Sequence, residues 1–365
     1  MPDSYDLYAT RTMIQAVEQM YAPESFLLDT FFTETQLFET EFVDVDFYVG
    51  GREAAGYVSP EQEGNVVTRI GFATENYKPP YIKEKMTIKP TDLLNRRYGA
   101  TIYQAESPLQ RAMRQMALDF AYLDDRCTRA EEVQASDALF TGQIRLLDGN
   151  TLVLPQKPTH QIDAVVYDWT DTDNSDPLED LVEWALIVTT DSGVRPDTVI
   201  MGKDVIKAYI NHPKVANNTA AMSSVKTDRG WISPLVKNKA LVYYGYNSEI
   251  DCDIYTYNER YMPAGSPKGT APVPMVPMNG LLMASTGMRA VRLYGPIMDL
   301  QAGRTESVPG AIGNLFPMRR FPKSWEEQDP SQRWLMLQTA PLIVPLQVDA
   351  YMFAYPVAAP TGQFN

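Results

Sequence analysis

Met13, Ile14, Val17, Met20 and Tyr21 recur at helical spacing behind Thr10, a residue type that caps helices, and predict a short amphipathic helix near the amino terminus. From Phe42 to Val49 the period changes to two. Val43, Val45, Phe47 and Val49 share one face of a strand, and Asp44 and Asp46 share the other. The next fifty residues lack long apolar runs and are punctuated by Gly50-Gly51, Gly56, Pro60, Gly64, Gly71, Pro79-Pro80 and Pro90, the pattern of an extended β-arm. Inside it Ile82, Glu84, Met86 and Ile88 alternate with Lys83, Lys85, Thr87 and Lys89, so one edge of this strand carries three lysines.

Ser107-Pro108 opens the strongest helical signal, with a capping serine and a proline at the first helical position. Leu109, Met113, Met116, Phe120, Leu123, Cys127 and Ala130 follow in steps of four and three. A helix over 108–141, ending before Gly142, would be about 50 Å long. The seam lapses at Gln134, which favours a helix laid across a sheet over a coiled coil. Asp148-Gly149-Asn150 between two short apolar runs predicts a hairpin. Asp176-Pro177-Leu178-Glu179 predicts a capped helix that buries Leu181, Trp184, Ala185 and Val188. Between about 196 and 303 come a strand (198–201), a helix (203–210), a polar loop (217–229) and further strands. Two long strands, 334–346 and 348–355, close the chain, and Pro341 and Pro345 demand edges or bulges there. The whole reads as an α+β protein without internal repeats.

Composition adds exclusions. A chain of 365 residues, 44% hydrophobic and 21% charged, can bury a sizeable core. Five prolines between 263 and 277 demand loop. Thirty-two basic against 46 acidic residues leave a net charge of −14, which argues against a surface that grips nucleic acid through its phosphates. Cys127 and Cys252 form no metal-type spacing and read as small buried apolar residues of a reducing compartment. The acidic amino terminus and the lack of an apolar run near 18 residues predict neither signal peptide nor membrane span, hence synthesis in the cytoplasm.

Catalytic chemistry finds little support. His160 and His212 both sit beside turn residues and read as structural. No G-x-S-x-G elbow is present. Gly202-Lys203 sits between a strand and a helix but lacks the rest of a phosphate loop. Asp171 and Asp173 resemble the first and third positions of a calcium loop, yet Asp176 replaces the required glycine, Val182 replaces the closing acid, and Asp176 is already a helix cap. Asp251 and Asp253 could be a glycosidase pair, which sequence alone cannot place across a sugar. No catalytic, cofactor or metal residue is therefore assigned.

Tyr57-Val58-Ser59-Pro60 with Gly64, then Tyr77, Pro79 and Tyr81-Ile82-Lys83, resembles the arm of the lambda-type major capsid protein family, capsid protein E. Arg292-Leu293-Tyr294-Gly295, Arg320-Phe321-Pro322-Lys323-Ser324-Trp325, Asp329-Pro330 and Gln338-Thr339-Ala340-Pro341-Leu342 are similar to that family's closing segment in order and spacing. The resemblance implies the Hong Kong 97-type phage capsid fold: an amino-terminal arm (1–42), an extended E-loop (43–104), a peripheral domain with a long spine helix (105–190, helix 108–141), an axial domain (191–304) and returning peripheral strands (305–365). It implies a major head protein of a tailed double-stranded DNA phage that self-assembles into hexamers and pentamers of an icosahedral virion shell. A scaffolding protein, a portal protein and a decoration protein are the implied partners, with DNA enclosed without sequence-specific binding, no membrane, and assembly in the bacterial cytoplasm. Asp44, Asp46, Tyr57, Pro60, Tyr77, Tyr81, Lys83, Lys85 and Lys89 are the expected assembly residues, with the lysines meeting acids of an adjacent subunit. The alternatives left by the residues are a same-fold, encapsulin-like nanocompartment shell, a soluble hydrolase and a calcium-binding protein.

Overall fold

The structure, a computed structural model, describes residue 13, 25–47, 73–89, 108–145, 151–162, 167–217, 240–267, 269–298, 315–329 and 331–358. Of the expected amino-terminal helix only Met13 falls among them; it is helical and buried. The other residues of that expectation, and the loop expected over 217–229 beyond its first residue, lie outside the described residues.

In chain order, helix α1 (Phe26–Phe31) leads into β1 (Glu34–Leu37), and β2 (Val43–Phe47) pairs antiparallel with β3 (Ala73–Tyr77). Strand β4 (Ile82–Ile88) precedes the long helix α2 (Pro108–Thr141). The hairpin β5 (Gln143–Arg145) and β6 (Thr151–Val153) follows, then a 3-10 turn (Pro158–His160) and β7 (Gln161–Ile162). The middle of the chain forms α3 (Pro177–Ser192), β8 (Thr198–Met201), α4 (Lys203–Asn211), α5 (Pro213–Asn217), β9 (Leu241–Asn247) and β10 (Cys252–Tyr257). Short β11 (Arg260–Tyr261) and β12 (Val273–Pro274) bracket the proline-rich loop. Last come β13 (Leu281–Ala284), β14 (Ala290–Tyr294), β15 (Ile297–Met298), β16 (Leu315–Phe316), β17 (Phe321–Glu327), β18 (Gln332–Thr339), β19 (Pro341–Pro345) and β20 (Tyr351–Ala354).

Helix α2 has the bounds that its punctuation predicts. It stops at Gly142, whose φ of 64° lies in the left-handed region that glycine adopts without steric cost. At α3 the Asp176 carboxylate accepts from the Leu178 and Glu179 N–H groups, and Gly193 closes the other end at φ 80°.

The main sheet runs β7-β20-β13-β8-β10-β9. Three of its four inner strands read TVIM, LLMA and YMFA and are buried throughout, as apolar runs without alternation require when both faces are covered. On one face Ile200, Leu282, Ala284, Tyr351 and Phe353 meet α1 and the carboxyl half of α2 through Leu27, Phe31, Ala135, Leu139 and Phe140. On the other, Val199, Met201, Leu281, Met283 and Met352 meet α3 and α4 through Leu181, Trp184, Val188, Val205 and Ile206. A fully buried side chain of this size contributes about 1.5–3 kcal/mol, so these two layers are a large source of cohesion among the described residues.

A second sheet, β1-β14-β19, places Val291, Leu293, Leu342 and Val344 against Val43, Val45, Ala138, Ile144 and Leu152. A third, β17-β18-β4, covers the amino half of α2, where Leu335, Leu337 and Ile88 pack on Met116, Phe120, Leu123 and Cys127. Met113, expected in that seam, is exposed at 42%. The closing segment also departs from expectation. Residues 334–346 are two strands in two sheets, because Pro341 lacks the N–H that would continue the β18 ladder. Pro341 and Pro345 then begin and end β19, an edge strand, where a missing donor costs no sheet bond.

Helix α1 and β1 carry no local sequence signal, and α1 is held from outside. Ser25 makes no side-chain cap; instead Glu132 of α2 accepts from Leu27 N–H at 2.8 Å and Leu28 N–H at 3.1 Å. Burial pushes the Glu132 carboxyl up to about 7, opposed by those two N–H groups and by Tyr257. At the far end Arg292 of β14 donates to the carbonyls of Phe32 and Leu28. A negative group at the start of the helix and a positive one at its end match its dipole.

Candidate assembly surface

The expected assembly residues fall into two separate places. Lys83, Lys85 and Tyr81 stand together at β4, the edge strand of the third sheet. The alternation that suggested a lysine edge in fact sorts the two sheet faces. Ile82, Glu84, Met86 and Ile88 turn towards α2, with Glu84 paired to Arg126 at 3.1 Å, while Lys83 and Lys85 occupy the outer face. There Lys85 lies 4.4 Å from the centre of the Trp334 ring and Lys83 4.7 Å from that of Tyr81. Trp334 stacks on Trp325 at 6.1 Å, and its indole N–H donates to Glu327 at 2.9 Å. That bond and the one from Gln332 hold the Glu327 carboxyl below the usual carboxylate range. Tyr81 is anchored by its hydroxyl to Gln338 Oε1 at 3.1 Å and is half-buried beside Phe316 and Phe321. Lys89, past the end of β4, is exposed.

Asp44 and Tyr77 belong to the β2–β3 hairpin, not to this face. Asp44 is exposed, and Tyr77 is half-buried against Val43 and Val45, opposite Val43 in register. Asp46 is opposite Thr74 in the same ladder. Tyr57 and Pro60 lie outside the described residues. Both described ends of the 43–104 segment are therefore packed on their own chain: Val43 and Val45 in the second core, Ile88 in the third.

The polar centre beneath this surface is a group that sequence reasoning missed. Arg320, 5% exposed in its side chain, is clasped by Asp124 at 2.6 Å, by Glu131, and by the hydroxyls of Thr128 and Thr339, each at 3.1 Å. Burial pulls its guanidinium down, but the carboxylates of Glu131 and Asp124 overcome that and hold it above its ordinary value. Tyr294 completes the group by donating to Glu131 at 3.1 Å. The signal was present: Asp124, Thr128 and Glu131 make a polar i, i+4, i+7 stripe beside the apolar seam, and a polar stripe on a buried helix needs a partner.

The residues weighed for chemistry are otherwise engaged. The amino terminus of α4 is filled by the chain's own backbone, with Asp204 N–H on the Met278 carbonyl at 2.9 Å and Gly202 N–H on that of Gly280 at 2.8 Å. Asp171 closes a turn through Asp173 and Asn174. Asp251 pairs with Arg195 at 3.2 Å, and Asp253 accepts from Tyr243 at 3.0 Å. Burial raises both cysteine thiols to about 12, so both stay protonated near neutral pH. Among the described residues no group of three or more His, Cys, Asp or Glu could hold a metal ion, and no helix is long and apolar enough to cross a membrane.

A long helix packed across three sheets, with further helices on the far face of the main mixed sheet, is the Hong Kong 97-type fold of phage shell proteins. A structure solved for a prophage protein assigned as a capsid protein, from E. coli CFT073, has the same fold at TM-score 0.71 and 20% identity, over 96% of this chain and 99% of that one. A phage-related protein from Bordetella bronchiseptica RB50 aligns at TM-score 0.54 and 10% identity, over 97% and 99%. The chain belongs to the family described as phage major capsid protein E, which matches residues 9–354. It is 26% identical to the major capsid protein of Escherichia phage lambda, over 95% of this chain and 98% of that protein, and 25% identical to that of Escherichia phage N15 over the same shares. Its role is structural, as a self-associating subunit of the phage head, and its place is the virion capsid.

Proposed function

We propose that the subunit builds an icosahedral shell of hexamers and pentamers that encloses double-stranded DNA without reading its sequence. The observation that carries this reading is the end-to-end likeness to the lambda protein, 95% of one chain over 98% of the other, within a family match that spans nearly the whole sequence. In this reading residues 1–42 are the amino-terminal arm, 43–104 the E-loop, 105–190 and 305–365 the peripheral domain and 191–304 the axial domain. The main sheet joins strands from three of these segments, since β20 and β7 pair with each other and β20 pairs with β13, so the lobes share one rigid support. A separate scaffolding protein guides assembly in the bacterial cytoplasm, a portal occupies one vertex, and a decoration protein covers the finished shell. The net charge of −14 suits a container whose wall must not trap the polymer inside it. The work is mechanical rather than catalytic.

The outer lysines make the contact testable. Lys83 and Lys85 are exposed on the sheet face and Asp44 is exposed on the hairpin, and in neighbouring subunits these opposite charges meet. Lys83→Glu with Lys85→Glu, co-expressed with the scaffold, is expected to cut the yield of closed particles at physiological salt and to leave the far-ultraviolet dichroism of the subunit unchanged. Wild-type yields of shells from the doubly reversed protein would remove these lysines from the contact.

A further inference from the structure

His160 and His212 are the protein's only histidines, both are buried, and their partners demand opposite protonation states. At His212 the Lys214 N–H points at Nδ1 from 3.3 Å, so that nitrogen keeps its lone pair. Nε2 lies 3.1 Å from Ser175 Oγ, and that hydroxyl's own hydrogen goes to the Asp171 carbonyl at 2.6 Å. The hydrogen between them therefore belongs to Nε2, and the ring is neutral. Burial, then Lys214, pulls its pKa below the ordinary histidine value, with Asp176 opposing.

His160 is arranged differently. Its Nδ1 is 2.9 Å from the carbonyl oxygen of Tyr351 and its Nε2 is 3.0 Å from Oδ2 of Asp191, and the side chain is 0% exposed. A carbonyl and a carboxylate can only accept, so both bonds exist together only when both ring nitrogens carry hydrogen. Local charge agrees. Asp191 from α3 is bonded to the ring, and Lys157 links it to Asp349 from the turn before β20, at 3.0 Å from Asp191 and 3.8 Å from Asp349. Two carboxylates and one lysine leave one negative charge beside a buried ring, and an imidazolium cancels it. The carboxyl of Asp191 agrees in direction: burial raises it, but Lys157 and His160 outweigh burial and hold it below the usual range. The Tyr351 phenol is not part of the group, since its hydroxyl donates to the Ala138 carbonyl at 3.3 Å.

We propose that His160 is a buried imidazolium, whose two N–H groups fasten the 158–160 turn to the carboxyl end of α3 and to the start of β20. Strand β7 is two residues long, and the ring's two bonds join those of Gln156 Nε2 to the Tyr351 carbonyl at 3.1 Å and of Tyr355 N–H to the Ile162 carbonyl at 2.8 Å in holding the turn to the sheet.

The full-length chain labelled with 15N-histidine tests this, because two histidines give only four ring-nitrogen resonances. At neutral pH the expected spectrum has both nitrogens of one ring protonated, and one protonated and one bare nitrogen in the other; His160→Gln should remove the doubly protonated pair. Two neutral rings in the wild-type spectrum, or a doubly protonated ring that survives in His160→Gln, would overturn the proposal.

Discussion

Arg320→Ala is expected to destabilise the folded subunit by about 3–5 kcal/mol, because it takes the counter-charge from Asp124 and leaves Glu131, which is 0% exposed, with only the more distant Arg319 at 3.7 Å. Chemical denaturation of the unassembled full-length chain would show it as a lower midpoint at unchanged slope. Domains are stable by only about 5–15 kcal/mol, so a loss of this size should also reduce the recovery of shells in cells. Arg320→Lys keeps the charge but cannot reach Asp124, Glu131, Thr128 and Thr339 at once, and should fall between the two. An alanine variant within about 1 kcal/mol of wild type would mean that water reaches these carboxylates and that the group does not pin β17 and β18 to α2.

Gly202→Ala should be similarly damaging for a steric reason. A Cβ at this position would lie 2.2 Å from the carbonyl oxygen of Pro277 and 2.4 Å from that of Met278, both backbone atoms that no side-chain rotation can move aside. The φ of −64° is ordinary, so glycine is required here for space, not for conformation. Overpacking commonly costs about 1–3 kcal/mol, and this contact, held by Gly202 N–H on Gly280 and Asp204 N–H on Met278, belongs at or beyond the top of that range. Gly287 is exposed, and its nearest neighbour to a new Cβ is Ser285 Oγ at 3.6 Å, so Gly287→Ala is the control and should be near neutral. Equal thermal midpoints for the two variants would contradict the packing described at the start of α4.

What the sequence made legible follows from how local each signal is. Helix α2 announces itself because its cap, proline and terminal glycine are contiguous with its apolar seam, and α3 because Asp176 caps it from the next residue. Helix α1 does not, because its cap is Glu132, 105 residues away, and its packing is entirely long-range. Strand β1 reads ETQL and is exposed at every position, so neither alternation nor an apolar run marks it, and only its parallel pairing with β14 makes it a strand. At the candidate surface the two-residue period correctly put Lys83 and Lys85 on one side of β4. It could not say that this side is a sheet face shared with Trp325 and Trp334, whose strands come 240 residues later. Nor does one chain's pattern show which surfaces meet between copies, since a solvated face and a face awaiting a neighbour have the same composition.

The most direct test is electron cryomicroscopy of the full-length chain co-expressed with its scaffolding protein. Closed icosahedral particles are expected, with the 43–104 segment of each subunit crossing onto the next and α2 lying across its own sheets. A sample of separate subunits at every concentration, with that segment folded wholly onto its own chain, would contradict the assembly on which the functional reading rests.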